Sequence, residues 1–218
     1  MQSEAEFARR EQLAADRQRE ARLMDLLRQV GDRYAGCRLA NWRAATPKQR
    51  EVREAVREWA SRWPERAANG EGLVLYGPVG TGKDHLAFAA VRHLVERHGL
   101  SVRWLNGRAF VGEVRDRIEE GRSERSLISG LTVPDIVVIS DPLPPVGELT
   151  IHQADMMYRL VHSRYEARRV TVCTLNVAGD DEADRRLGTA TWDRLCDQAW
   201  KIACMWETSR KPAREVKP

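Results

Sequence analysis

The chain has 218 residues, 31% of them charged, with 36 Lys and Arg against 32 Asp and Glu, a formal net charge of +4. That length suits one α/β domain with an N-terminal extension and is enough for a packed core. The longest apolar runs are far too short to span a bilayer, the charged start M-Q-S-E-A-E-F-A-R-R lacks the apolar stretch of a secretory signal, and a pI near 9.0 permits nucleic-acid binding without establishing it. The basic residues are mostly Arg, which suits phosphate and carboxylate forks, although a GC-rich genome enriches Arg equally. Cys37, Cys173, Cys196 and Cys204 form no C-x-x-C pair and have no His cluster beside them. Zinc-ligand spacing is therefore absent, and a reduced, cytoplasmic setting is expected.

Residues 4–30 read as a charged helix with a broken apolar stripe of Phe7, Leu13, Leu23, Met24, Leu27 and Val30. A helix so polar around Asp16 to Glu20 is poorly able to bury itself alone, so it either packs on a partner protein or stands as a solvated arm. Gly31 and Gly36 flank a short connector. Thr46 as N-cap and Pro47 in the first turn start a second helix, which runs to about Trp63 and stops before Pro64. Its Val52, Val56 and Trp59 share a face. Residues 1–66 are expected to form a helical, partner-binding extension and residues 67–218 the core.

Asn69-Gly70-Glu71-Gly72 is a turn into the apolar strand Leu73 to Tyr76. From Gly77 the chain reads G-P-V-G-T-G-K-D-H, the spacing G-x-x-x-x-G-K, and a helical pattern follows at once. Strand, glycine loop and helix together are the context of a phosphate-binding P-loop. Glycines at 77, 80 and 82 let phosphate oxygens approach backbone N–H groups. The helix N-terminus adds unpaired donors, and Lys83 supplies a point charge for the β- and γ-phosphates. The cradle is expected to comprise Gly77, Pro78, Val79, Gly80, Thr81, Gly82, Lys83, Asp84 and His85. The position after Lys83 is normally Ser or Thr, whose hydroxyl ligates Mg²⁺, and here it is Asp84.

Beyond the P-loop helix, His98-Gly99 is a stop, Val102 to Leu105 a short strand and Phe110 to Glu120 a helix. Gly121 to Gly130 reads as a polar loop. Asp135 to Ser140 is a continuous apolar strand, followed by the rigid loop Asp141-Pro-Leu-Pro-Pro-Val-Gly. Thr150 caps a helix to about Arg169, and Val170 to Thr174 is another buried strand. A polar stretch, a helix around Thr191 to Ala199 and a last strand from Lys201 to Trp206 follow, with few residues after them. Alternating strands and helices imply a parallel sheet covered on both faces, with ligands at the C-terminal strand ends. Asp84, Asp141 and Asn176 can converge there.

In this order the chain resembles the bacterial helicase loaders and transposition helpers of the DnaC/IstB-like AAA+ family, over roughly residues 34–210. The resemblance rests on G-P-V-G-T-G-K-D-H-L-A (77–87), D-I-V-V-I-S-D (135–141), T-L-N (174–176), L-G-T-A-T-W-D-R-L (187–195) and T-S-R (208–210). It implies an ATP-binding core with little or no helical lid. It implies Asn176 as the sensor that positions the attacking water, Arg194 as an arginine finger reaching a neighbouring subunit's γ-phosphate, and Arg210 as a C-terminal sensor. It also implies contact with single-stranded DNA through the 107–130 region, which carries Arg108, Arg115, Arg117, Arg122 and Arg125. Interleaved Glu113, Asp116, Glu119 and Glu120 allow a merely solvated face instead. A replicative helicase would be the partner of the N-terminal extension.

Two departures bear on catalysis. The family's acidic strand end usually reads D-E, and here it is Ser140-Asp141, while the P-loop hydroxyl is replaced by Asp84. Together they leave one hydroxyl and an extra carboxylate at exchanged positions, so Mg²⁺ is expected on Asp84, Ser140 and Asp141. Asp141 then stands where a catalytic Glu polarises water, one methylene shorter, and slow ATP hydrolysis follows. The reading is an ATP-binding helicase-loader-like protein. An IstB-like transposition helper and a non-hydrolysing nucleotide-dependent scaffold are the alternatives.

Overall fold

The computed structural model describes residues 4–121 and 123–209, with the side chains of residues 4, 5, 108, 111 and 118 left out. Within them, β1 (Leu73–Tyr76), β2 (Val102–Asn106), β3 (Ile136–Ser140), β4 (Val170–Leu175) and β5 (Trp200–Ala203) form one five-stranded sheet in the order β2-β3-β4-β1-β5. Every pairing is parallel. The strands are apolar on both faces because both faces are covered. One face, with Leu73, Leu75, Val138 and Val172, packs against α1 (Glu4–Val30), α3 (Pro47–Ser61) and α5 (Lys83–His98). The other, with Val74, Val137, Ile139 and Leu175, packs against α6 (Gly107–Glu119), α8 (Ile151–Glu166) and α10 (Thr189–Cys196). A parallel sheet aligns all its C-terminal ends, so Gly77, Ser140, Asp141 and Asn176 come to one edge.

Local sequence explains the helix starts. Thr46 accepts from Gln49 N while its own N–H donates to Gln49 Oε1, and Thr150 does the same with Gln153, two reciprocal capping boxes. The last turns of α1 belong to the core: Leu26 is fully buried, and Gln29 accepts from Trp104 N at 2.7 Å and donates to Val102 O at 3.0 Å. Gln29 thus satisfies backbone groups along the edge strand β2, which would otherwise present an open ladder. Phe7 and Leu13, nearer the N-terminus of α1, are exposed. Apolar packing runs across residue 66, since Leu26, Val52, Val56 and Trp59 share a cluster with Leu86 and Val91.

The elements differ from expectation in several places. The short connector contains a helical turn, α2 (Asp32–Ala35). Pro64 lies in the first turn of a further helix, α4 (Trp63–Asn69), where its missing N–H has no intrahelical partner to lose. The expected loop 121–130 contains α7 (Glu124–Gly130), capped by Ser123 Oγ and anchored by buried Ile128. The polar stretch after β4 contains α9 (Asp180–Leu187), whose acidic first turn and basic last turn match the helix dipole and whose Ala183 and Leu187 are buried at i,i+4. β5 begins at Trp200 and ends at Ala203, three residues before Trp206.

Candidate nucleotide site

The P-loop holds its shape through backbone demands that only glycine meets. Gly77 sits at φ 144°, and a Cβ there would come 2.4 Å from the Cys204 carbonyl of the segment following β5. Gly82, at φ 89°, lies against the Trp42 indole. Lys83, 6% exposed, donates to Gly77 O at 2.8 Å and Pro78 O at 2.7 Å, with Thr81 Oγ1 at 3.4 Å. Thr81 in turn donates to Pro78 O. The ammonium is therefore coiled back under the loop by carbonyl acceptors that a phosphate can replace. Val79, at the loop's crest, is exposed.

Asp84, in the first turn of α5, meets the two neighbouring strand ends. Its Oδ1 accepts from Ser140 Oγ at 3.0 Å and from Thr174 Oγ1 at 2.7 Å. Ser140 and Thr174 are register partners in β3 and β4, so their side chains leave the sheet on the same side. The next residue, Asp141, adopts the left-handed backbone at φ 48° and donates its N–H to Thr174 O. Asn176 Nδ2 donates to Asp141 Oδ1 at 2.7 Å. Asp84, Ser140, Asp141 and Asn176 therefore gather as a connected polar array beside Lys83.

With Ser140 adjoining through its bond to Asp84, Lys83, Asp84, Asp141, Thr174 and Asn176 line a cavity of about 610 Å³. Its other wall was not legible in the motif spacing: Arg33, Tyr34 and Cys37 of the connector, Pro144 and Pro145 of the loop after β3, Arg186 of α9, and Ser209. His85 ties the connector down, its Nε2 standing 3.2 Å from both Arg38 O and Asn41 Oδ1. Both partners are acceptors, so Nε2 carries the proton. Burial holds the His85 pKa below its ordinary value, against the opposing Arg38 bond. Ser209 N donates to Gly80 O, and Trp206 Nε1 donates to Thr81 O, so the chain after β5 crosses the P-loop. Arg210 lies outside the described residues. Burial pushes the Cys37, Cys173, Cys196 and Cys204 thiols up, which leaves them poor nucleophiles.

Arg194 is not part of this cavity. It lies in α10 beside a separate hollow of about 360 Å³ that it shares with Tyr165, Arg168 and Arg169. Its Nε donates to His162 Nδ1 at 3.0 Å, Nη1 donates to Ala190 O, and the guanidinium sits 5.0 Å from the Tyr158 ring centroid. Of the arginines expected to meet DNA, Arg115, Arg117 and Arg125 are exposed; Arg117 shares a shallow groove with Glu113, Asp116 and Glu120. The side chain of Arg108 and the whole of Arg122 lie outside the described residues. Among the described residues, no group of three or more His, Cys, Asp or Glu is placed to hold a metal ion by itself.

The family model described as IstB-like ATP binding protein matches residues 39–216, from the connector through the tail. This chain belongs to that family. An ATP-binding protein in an insertion sequence of Mycobacterium tuberculosis is 33% identical over 122 residues, 55% of this chain and 45% of that protein. The insertion sequence IS21 ATP-binding protein of Pseudomonas aeruginosa is 28% identical over 165 residues, 72% of this chain and 58% of that one. The chain thus spans about half the length of the curated relatives it matches. Among solved structures, the DnaC helicase loader superposes with a TM-score of 0.69 at 19% identity, covering 79% of this chain and 99% of that one. AMPPCP-bound DnaA from Aquifex aeolicus gives 0.62 at 16% identity, covering 77% and 50%. The fold of this IstB-like protein is the P-loop AAA+ core.

Proposed function

We propose that this ATP-binding AAA+ protein is an ATP-controlled helper that assembles with copies of itself and regulates a DNA-handling enzyme. The observation that carries this reading is the convergence of Lys83, Asp84, Asp141 and Asn176 on one 610 Å³ cavity. Lys83 exchanges its carbonyl acceptors for the β- and γ-phosphates. Backbone N–H groups of residues 77–85 at the start of α5 take phosphate oxygens. The oxygen atoms of Asp84, Ser140 and Asp141 suit Mg²⁺, a hard cation, which would neutralise phosphate charge when bound with ATP. Asp141, oriented by Asn176, stands to position a water molecule. Being shorter than Glu, it makes hydrolysis slow. Arg194, which does not line its own cavity, serves the nucleotide of a neighbouring copy, and Arg210 follows the cavity-lining Ser209.

Sequence relatedness supports a transposase as the partner enzyme, since the curated relatives are insertion-sequence proteins. The fold likeness to a DnaC helicase loader supports a second reading, with a replicative helicase as partner and single-stranded DNA held near Arg115, Arg117 and Arg125. The exposed first half of α1 within the extension 1–66 is the partner-binding element in both. Free thiols at Cys37, Cys173, Cys196 and Cys204 agree with a cytoplasmic setting. The deciding experiment is ATP-dependent co-elution of the purified chain with the transposase encoded nearest to it and, separately, with the host replicative helicase. Retention of the transposase alone is expected. Retention of the helicase alone moves the assignment to the second reading, and retention of neither in the presence of ATP removes both.

A further inference from the structure

A P-loop ordinarily ends on a hydroxyl residue, and its counterpart at the neighbouring strand end is a carboxylate. Here the two chemistries are interchanged, Asp84 on the helix and Ser140 on the strand, and they touch: Ser140 Oγ donates to Asp84 Oδ1 at 3.0 Å. The helix-to-strand hydrogen bond survives with donor and acceptor at opposite ends. Thr174 Oγ1 donates to the same oxygen at 2.7 Å. A hydroxyl has one proton, and each of these commits it to Asp84; Thr174 Oγ1 also accepts from Asp141 N at 3.3 Å, so Ser140 Oγ is the oxygen with lone pairs to offer a cation. Asp84 Oδ2 makes no hydrogen bond to any described residue, and Asp84 lines the cavity beside Lys83.

Charge makes the arrangement consequential. Lys83 and Asp84 are adjacent, so the side chains of the loop bring no net charge to a triphosphate. A carboxylate beside a bound phosphate is unfavourable unless a cation lies between them. Among the described residues no group of three or more His, Cys, Asp or Glu could hold a metal ion, so the remaining ligands of a cation here come from the nucleotide and water.

We propose that Asp84 and Ser140 form a transposed divalent-cation site. Ser140 supplies the hydroxyl ligand usually provided by the P-loop, Asp84 supplies the carboxylate usually provided by the strand, and Thr174 holds Asp84 in register. The inference rests on reading the cavity as a Mg-ATP site. Its consequence is a nucleotide site that responds to free Mg²⁺ as sharply as to ATP.

The test is the affinity of the full chain for a fluorescent ATP analogue, with Mg²⁺ and with EDTA. Wild type should bind at least ~10-fold more weakly in EDTA, from the uncompensated repulsion of one carboxylate. Asp84→Asn keeps an oxygen acceptor for both hydroxyls but removes the charge. It should bind more tightly than wild type in EDTA and lose most of the Mg²⁺ advantage. Ser140→Asp alone sets two carboxylates together and should bind poorly without metal, while Asp84→Thr with Ser140→Asp should regain the wild-type Mg²⁺ response. Mn²⁺ added with ATP gives a second readout: its paramagnetic resonance signal should be immobilised by wild type and the double variant, and not by Asp84→Asn. A Mg²⁺ advantage unchanged in Asp84→Asn overturns the proposal and leaves a polar staple, visible only as a shift in thermal stability. A wild type that binds no analogue under either condition removes the Mg-ATP reading itself, and the inference with it. Circular dichroism on each variant separates misfolding from either outcome, and the double variant provides the answer should Asp84→Asn fail to fold.

Discussion

At the scale of single residues, the site turns on which charges are compensated. Lys83 donates to the Gly77 and Pro78 carbonyls, acceptors that a phosphate can replace, so Lys83→Ala should leave the fold intact and weaken ATP binding by ~100-fold or more, the worth of a charge-assisted bond to phosphate in a partly dry site. Unchanged affinity in a nucleotide titration would contradict the P-loop role. Arg164 poses the opposite problem. It is 0% exposed and satisfies Leu131 O, Pro134 O, Asp135 O, Val170 O and Thr171 Oγ1. Burial, with Arg169 nearby, pulls its pKa down to about 9, yet it stays cationic at neutral pH. Arg164→Met strands these carbonyls and should cost about 3 kcal/mol in denaturant unfolding. His85 carries a pH signature. Its folded pKa lies below the 6.5 of the free side chain, so the unfolded chain takes up the proton first. Stability should fall as pH drops through 6.5, and that part of the slope should vanish in His85→Gln, as thermal melts can check. The phosphate-loop residues and the Asp84–Ser140 exchange were legible because motif spacing fixes them. Thr174, Arg33, Tyr34 and Arg186 were not, because they reach the cavity through strand register and long-range folding that no local pattern encodes.

At the scale of elements, the apolar strands and the capped helices were readable from alternation, burial runs and Thr-x-x-Gln boxes. The short helices α7 and α9 escaped because each buries only one or two apolar residues and is otherwise largely polar. α9 nevertheless shapes the cavity. Its Arg186 donates to Pro144 O at 2.5 Å, Gly147 O at 2.9 Å and Asn176 O at 3.4 Å while paired to Glu182. One side chain thus clamps the proline loop after β3 to the end of β4. Arg186→Ala frees three carbonyls of a partly exposed loop, so the expected loss is about 1–2 kcal/mol. Limited proteolysis should show faster cleavage within residues 141–150, and cleavage at the wild-type rate would mean the prolines alone hold the loop. The clamp holds Pro144, which lines the cavity beside Arg186 itself, so ATP affinity should drop with it.

At the scale of the whole molecule, the parallel sheet sends every strand end carrying phosphate chemistry to one edge, while Arg194 faces a different hollow. Arg194 does not line the nucleotide cavity of its own chain, which is the ground for the proposed role at another copy's. Its surroundings fit a residue kept ready: His162 accepts from Nε through Nδ1, Tyr158 stacks on His162 and faces the guanidinium, and Glu166 lies 3.4 Å from His162 Nε2. These partners hold the guanidinium in one orientation while leaving it at the surface. An arginine supplied in trans stabilises charge on the transferring phosphoryl group and is worth ~10³-fold or more in rate. Arg194→Ala should therefore bind ATP as wild type does and hydrolyse it at least ~10³-fold more slowly. Lys83→Ala should be inactive for a different reason, having no bound nucleotide. Mixed together, the two variants create interfaces where an intact Lys83 site on one copy meets an intact Arg194 on its neighbour, and those interfaces should recover a fraction of wild-type ATPase activity. The fraction should rise with total protein concentration, because it depends on assembly. A mixture that stays inactive at every ratio and concentration, beside an active wild type, would show that Arg194 acts within its own subunit or only maintains the fold.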